Sequence, residues 1–501
     1  MTRTRLLAWP FRARTRVQRQ TIPDADRLPE DEDGEASGLA YGSIATMIFV
    51  VALALRVWRA QLPDDTVYAD DIFQMLEPAH RLVFGYGYIA WEFVAGVRNW
   101  LLPGTLALVL GGLNRIGLDQ PEAYGPAITG LSILISLFPI EVARRTAHLL
   151  GGSRAGLFAA AAAAIYPPLL FAAQKITPEI LAGYILSAAI LFALRTSRGT
   201  AAASGLLCGF VAGLRIHYAP ALLVVAWIIF VRRHKDWTSV RSAVAFGAVS
   251  FSLFGLVDWW TWGAPFVSYL RAIEVNILYG VASYFGEMPF YFYIAVFPFG
   301  MGLALISVLD WPRTRWLLLP VAAILLVHIL IGHKEPRFVF AIHLLTVTAI
   351  AIPLAEWTRK GAERRLLALA VCLCSVVMCA KSYLMPSRPE ALLAADYRLA
   401  IAELRGQSDM RALATYGVGL YNFPGAFWLH RNIPIVHDDE IPSTSIPPGI
   451  THAVVIAGAP VIDGFETIRT YGRLEVRKRV NIDQEAVLPP VDWSMPAIFS
   501  W

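Results

Sequence analysis

Four ionisable side chains fall within five positions in His333-Lys334-Glu335-Pro336-Arg337-Phe338, where the apolar run 316–332 ends and the run 338–354 begins. Charge at the edge of a bilayer is costly unless it binds something, so the cluster reads as a site. A plain polar turn whose Lys and Arg snorkel to the headgroups is the alternative. Snorkelling asks only for basic residues in loose order. It does not ask for His, Lys, Glu and Arg together with a Pro fixing the chain between them. Cations so placed suit an anionic ligand, phosphate above all.

A second concentration opens an early loop with Asp70-Asp71, followed by Glu77, His80, Trp91-Glu92 and Arg98. Adjacent carboxylates suit general-base work, metal binding, or a helix N-terminus, with Asp70 capping a helix through 73–76. Lys175, Arg215 and His217 lie in turns between apolar runs and complete a set of cations able to hold a lipid phosphate. No Walker loop, Rossmann glycine pattern or zinc-ligand spacing is present, so an already activated donor is favoured over nucleotide hydrolysis.

The elements that must position these residues are membrane helices. The 501 residues are 56% hydrophobic and only 16% charged, with repeated apolar runs of bilayer length. The net charge of +5 is spread between those runs rather than gathered on one face, which argues against nucleic acid as a partner. Cys208, Cys372, Cys374 and Cys379 all fall inside apolar runs and read as small core residues. Placing the basic clusters 144–154, 195–198, 232–235, 313–315 and 359–365 in the cytoplasm gives about eleven spans. They fall near 39–58, 122–142, 156–173, 178–195, 201–214, 218–231, 240–257, 290–309, 316–332, 338–355 and 366–384. The loop 61–122, the turns 174–178, 215–218 and 333–337, the loop 258–289 and the C-terminal tail then share the outer face. Within the first loop, 101–113 is apolar but too short to span and reads as an interfacial or re-entrant helix.

Three domains are expected: a disordered cytoplasmic tail (1–38), a transmembrane catalytic domain (39–385, first outer loop 59–121) and an extracytoplasmic domain (386–501). In the last, 397–404 has helical spacing, while 410–415, 433–436, 453–457 and 474–480 read as strands, giving a small α/β unit. Asp438-Asp439-Glu440 reads as a solvated loop.

The run Tyr68-Ala69-Asp70-Asp71-Ile72-Phe73-Gln74-Met75-Leu76-Glu77-Pro78-Ala79-His80-Arg81, continuing to Tyr88, then Trp91-Glu92 and Val97-Arg98, closely resembles the first-loop signature of glycosyltransferase family 22. His333-Lys334-Glu335-Pro336-Arg337-Phe338 resembles that family's second hallmark, and Lys175-Ile176-Thr177-Pro178-Glu179 is a weaker match. The family contains the mannosyltransferases of N-glycan and GPI-anchor assembly. The resemblance implies the GT-C fold, an all-α polytopic membrane protein, over about residues 40–384. The chain departs from the family at Tyr68-Ala69, where His-Pro is usual, and at Met288, where a His is usual.

The resemblance implies transfer of a mannose from a polyprenyl- or dolichyl-phosphate donor to a lipid-linked or glycan acceptor, with inversion, on the periplasmic or luminal face of a bacterial inner membrane or endoplasmic reticulum. Asp70 is expected as the base, with Asp71 supporting it or orienting the acceptor. His333, Lys334, Arg337, Lys175 and Arg215 are expected at the donor phosphate. Glu77, His80, Trp91, Glu92, Arg98 and Glu335 fall to acceptor or supporting roles, Glu335 as a partner of Lys334 or Arg337. No cofactor or divalent metal is expected. A transporter or flippase of lipid-linked sugars is the rival, but such proteins carry inverted repeats and midplane charge that this chain does not show.

Overall fold

A computed structural model describes residues 35–62, 69–384, 389–438, 440 and 446–495. Most of the expected N-terminal tail, Tyr68, Asp439 and the expected domain boundary at 385–386 lie outside them.

Among the described residues, five helices are long and apolar enough to cross a membrane: Ala40–Arg59, Pro121–Gly151, Trp237–Trp262, Pro298–Leu330 and Ala341–Arg359. The pair Ser153–Ile165 and Pro167–Gln174 makes a sixth if it is one span, bent by 58°. Pro167 causes the bend, because it lacks an N–H and drives Tyr166 to extended geometry (ψ 121°). Pro178–Leu194, Gly199–Leu214 and Ile216–Arg232 are shorter apolar helices. The expectation of about eleven spans is thus carried in part. The runs expected at 290–309 and 316–332 join into one apolar stretch of 33 residues, Pro298–Leu330, with a single tight turn at Val308–Asp310.

Ala341–Arg359 is the hub, buried nearly all round and packed against 153–165, 121–151, 178–194, 298–307 and 311–330. Its buried Ala341, Ala349, Ala351 and Ala355 share one core with the alanine-rich 153–165 helix, whose Ala155, Ala159, Ala160 and Ala163 are fully buried. Small side chains let helix backbones approach closely where lipid offers no hydrophobic drive. This helix also fixes the charged turn 333–337, which leads directly into it.

Beyond the helix Pro389–Gly406 stands a five-stranded sheet: β1 (Leu413–Tyr416), β2 (Ile435–Asp438), β3 (His452–Ile456), β4 (Phe465–Tyr471) and β5 (Leu474–Arg479). The strand order is β2-β1-β3-β5-β4. The first three strands are parallel, with Leu413 opposite both Ile435 and His452, and β5 is antiparallel to β3 and β4. Four of the strands and the helix fall where the apolar alternation places them. β4 does not, because Glu466, Thr467, Arg469 and Thr470 are exposed at the sheet edge and carry no apolar signal.

This domain packs on the first loop. Phe73, Tyr88, Ala90 and Phe93 share one core with Tyr397, Ile401, Phe423, Leu429 and Trp493. The Ile89 N–H donates to the Trp493 carbonyl at 3.1 Å, joining the two chain regions by backbone as well. The expected short helix forms at Leu101–Arg115 and packs against Glu77–Phe84.

Candidate active site

Pro336 shapes the charged turn. It forces Glu335 into extended geometry (φ −126°, ψ 149°) and opens a single 3-10 turn, Pro336–Val339. The Arg337 side chain, one-tenth exposed, is thereby aimed back at the first loop, where its Nη2 lies 2.6 Å from Asp70 Oδ2. On its other flank Arg337 Nε lies 2.7 Å from Glu335 Oε2. Glu335 in turn meets His333 Nε2 at 3.1 Å, and the Gly286 carbonyl meets His333 Nδ1 at 2.9 Å. The two hallmark stretches, more than 260 residues apart in sequence, form one chain of alternating charge.

The electrostatics follow from these partners. Burial alone would raise the Glu335 carboxyl, but the His333 hydrogen bond and the Arg337 charge outweigh it and bring the group down to about 2. His333 is raised by its bond to Glu335, which favours the imidazolium. Glu335 is therefore an anchor holding two cations in place, pairing with Arg337 and His333 rather than with Lys334.

Asp70 stands just before a widened π-helical turn, Asp71–Leu76, a geometry frequent at functional sites. It is itself helical (φ −62°, ψ −28°), and its carboxylate makes no capping hydrogen bond. The capping explanation for Asp70 is removed by that geometry; the carboxylate, 29% exposed, turns to Arg337 instead. Asp71 diverges from its neighbour and lies 3.6 Å from the buried Lys175 Nζ.

Other expected residues divide by environment. Arg215 lies beside the turn: its guanidinium covers the Phe338 ring at 4.4 Å and pairs with Glu179 at 2.7 Å. Lys334 does not present its ammonium to a ligand. It is 4% exposed and donates to the carbonyls of Met288 (2.9 Å), Gly332 (3.3 Å) and Ile331, tying the turn to the neighbouring loop. Lys175 joins Asp71 rather than the phosphate cations. Glu92 is buried and accepts from Gln74 Nε2 at 2.7 Å; burial raises it to about 7, with Arg98 opposing and Asp70 adding. The Arg98 carbonyl accepts from Trp262 Nε1 at 3.1 Å, and the Trp91 ring stacks on Phe285. His217 faces the His328 ring at 6.0 Å.

Glu77 and His80 belong elsewhere, at the joint with the C-terminal domain. Glu77 accepts the backbone N–H groups of Tyr88 (2.7 Å) and Phe427 (2.6 Å), and His80 Nε2 meets His430 Nδ1 at 3.1 Å. Sequence reasoning missed the partners Glu179, Gln74 and His430. Glu179 had a signal, since it closes the stretch Lys175–Glu179; His430 had none. Among the described residues no group of three His, Cys, Asp or Glu side chains is placed to hold a metal ion.

A helical membrane body with a charged turn facing a first-loop carboxylate defines a class, and the comparisons name it. Residues 47–430 match the Alg9-like mannosyltransferase family, and the chain belongs to that family. Among curated relatives it is similar to GPI mannosyltransferase 3 of Yarrowia lipolytica, 26% identical over 344 residues, covering 64% of each chain. It is also similar to GPI alpha-1,2-mannosyltransferase 3 of Mus musculus, 24% identical over 311 residues, covering 59% of this chain and 56% of the relative. The chain thus spans somewhat less than two thirds of the length of these relatives. Among solved structures, ArnT from Cupriavidus metallidurans bound to undecaprenyl phosphate superposes with a TM-score of 0.52 at 17% identity, covering 89% of this chain and 98% of that one. Its apo form gives 0.50 at 16% identity, with the same coverage. The fold is GT-C, as the sequence resemblance implies.

Proposed function

We propose that this protein is a membrane mannosyltransferase that moves mannose from a polyprenyl- or dolichyl-phosphate donor to a hydroxyl of a glycan or glycolipid acceptor, with inversion. The observation that carries the reading is Arg337 lying 2.6 Å from Asp70 and 2.7 Å from Glu335, so that a carboxylate and a phosphate-binding guanidinium stand side by side. Family membership and the names of the relatives support the sugar, and the motif resemblance supports the class of donor.

In this reading Asp70 takes the proton of the acceptor hydroxyl as its oxygen attacks the anomeric carbon. The bond from that carbon to the phosphate oxygen breaks, and the phosphate leaves with the electron pair. Arg337 and the His333 imidazolium, fixed by Glu335, meet the charge as it develops, and Arg215 adds to the positive field. These groups supply the charge stabilisation without any metal. Lys334 shapes the turn and is not assigned to the phosphate.

The site, the first loop and the C-terminal domain lie together on one side of the helical body. We place that side outside, at the periplasmic or luminal face, from the distribution of Arg and Lys between the spans. A reporter active only in the cytoplasm, fused after Trp501, is expected to be silent.

The function itself is tested with the purified protein in sealed proteoliposomes and polyprenyl-phosphate mannose labelled in the sugar. Cleavage of the mannose–phosphate bond with transfer to a lipid extract is the expected result. Donor that crosses the bilayer intact, with the bond unbroken, would favour the transporter reading instead.

A further inference from the structure

A cavity of about 100 Å³ lies beside Asp71 and borders the joint with Glu77, since Phe427 belongs to both. Its inner wall is Asp71, Gln174 and Lys175, and its outer wall is supplied by the C-terminal domain through Arg398, Tyr421, Asn422 and Trp428. Three features mark it as built for a ligand. Gln174 Nε2 is a buried amide donor with no hydrogen-bond partner, which is costly unless something arrives to accept from it. The outer wall is held rigidly: the Trp428 carbonyl accepts from Arg405 at 2.6 Å, and Arg405 pairs with Glu122 at the head of the 121–151 helix. The Trp428 ring presses on that helix so closely that a Cβ at Gly125 would lie 2.7 Å from it.

The chemistry of the lining is specific. Aromatic faces beside amide and carboxylate side chains suit a sugar ring, which offers an apolar face and a rim of hydroxyls. One carboxylate against two cations, Lys175 and Arg398, leaves the cavity with net positive charge. Lys175 is already 3.6 Å from Asp71, so Arg398 is the cation left facing the ligand, its guanidinium 5.9 Å from the Trp428 ring centre. Ile128 on the crossing helix and Leu76 on the first loop continue the lining as apolar wall.

We propose that this cavity is the acceptor site and that the C-terminal domain selects the acceptor, with Arg398 meeting a negative charge on the saccharide head of an amphipathic lipid. The inference rests on the mannosyltransferase reading for the word acceptor, but its geometry is independent of the donor cluster around Arg337. It also accounts for the docking of the C-terminal domain on the first loop, which completes the wall that Asp71 faces.

The test is a binding measurement on the full-length protein in nanodiscs, with two synthetic probes, dodecyl mannoside and the same glycoside carrying a phosphate on the sugar. The phosphorylated probe is expected to bind about tenfold or more tighter than the neutral one, the size of effect a single well-placed charge pair gives. Arg398→Glu is expected to abolish that preference, Arg398→Lys to keep most of it, and Gln174→Leu to weaken both probes alike. Arg398 is exposed, so the two Arg398 variants are expected to retain the wild-type melting temperature. Absence of the preference in the wild type, or its survival in Arg398→Glu, overturns the proposal. Polyprenyl phosphate serves as a separate probe of the donor cluster. If Arg337→Gln leaves its binding unchanged, the donor reading has failed, whatever the Arg398 variants do.

Discussion

Asp70 and Glu77 are seven positions apart in one loop, yet they sit in two regions with opposite uses for charge. Around Asp70 the carboxylate is 29% exposed, its partner is the long side chain of Arg337, and every group in the cluster has a countercharge within 3.1 Å. Around Glu77 the carboxylate is fully buried and its partners are two backbone N–H groups, one from its own loop and one from the C-terminal domain. A side-chain pair at a partly open surface can exchange one partner for a ligand. A carboxylate bonded to backbone in the interior cannot, because its loss leaves both N–H groups unsatisfied. The first arrangement is suited to turnover and the second to holding two domains together.

The comparison breaks most sharply on activity. Asp70→Asn keeps size and removes basicity, so transfer is expected to fall by roughly 10²–10⁴-fold while the protein stays folded. Should Asp70→Asn turn over like wild type while Asp71→Asn does not, the roles of the pair are reversed. Arg337→Gln comes next, with a loss on the order of 2–4 kcal/mol of transition-state stabilisation, about 30- to 1,000-fold in rate. Arg337→Lys keeps the charge without the planar fork and is expected to fall between Gln and wild type. Turnover at saturating acceptor across a donor titration separates these; unchanged turnover and donor dependence in both variants would leave the turn only a membrane anchor.

At the joint the effect moves from rate to stability. Glu77→Leu strands the N–H groups of Tyr88 and Phe427 and is expected to cost roughly 2–3 kcal/mol, read as a lower melting temperature. The fraction that remains folded is expected to keep its turnover per molecule. Gly425 sharpens the point: it sits at φ +82°, and a Cβ there would run into the Glu77 carboxylate. Gly425→Ala is expected to destabilise the same joint by about 1–3 kcal/mol. A loss of turnover per folded molecule in either variant would move Glu77 from the joint to the chemistry.

The two regions also differ in how far they can be read from sequence. The turn 333–337 and Asp70 are legible because their cost is local: ionisable groups at the end of an apolar run need a reason at that position. Their mutual contact is not legible from spacing, since it is made by the packing of the 341–359 helix. Lys334 shows the limit of residue type, for an ammonium bonded to three carbonyls and one facing a phosphate look alike in sequence. Glu77 and His80 belong to the same motif as Asp70, and only the docking of a domain more than 300 residues later assigns them to the joint. The long apolar helices such as 121–151 and 341–359 and four strands follow from apolar periodicity, while β4 escapes because an exposed edge strand needs no apolar face.

The finest contrast is in pH. Glu335 is brought down to about 2, so its contribution to stability is complete above its unfolded value of 4.5 and is lost only as pH falls through 2. Glu77 runs the other way: burial, opposed by the backbone N–H groups of Phe427 and Tyr88, raises it to about 7. Between 4.5 and 7 the folded protein holds a proton that the unfolded chain has released, so this group's contribution falls as pH rises and levels off above 7. Buried histidines such as His80, lowered to about 4 by burial, give a slope of opposite sign below 6.5. They cancel when wild type is compared with a variant at each pH. Glu77→Gln mimics the neutral carboxyl, so its stability relative to wild type is expected to improve from pH 5 to pH 8, by on the order of 2 kcal/mol. Glu335→Gln is expected to show a flat difference from pH 5 to about 6.5, narrowing above the ordinary histidine value of 6.5 as the His333 imidazolium that Glu335 favours loses its proton. Thermal unfolding of the three proteins at about pH 5, 6.5 and 8 decides it: a flat difference for Glu77→Gln would mean that the joint holds a carboxylate throughout, and that the two regions treat charge alike.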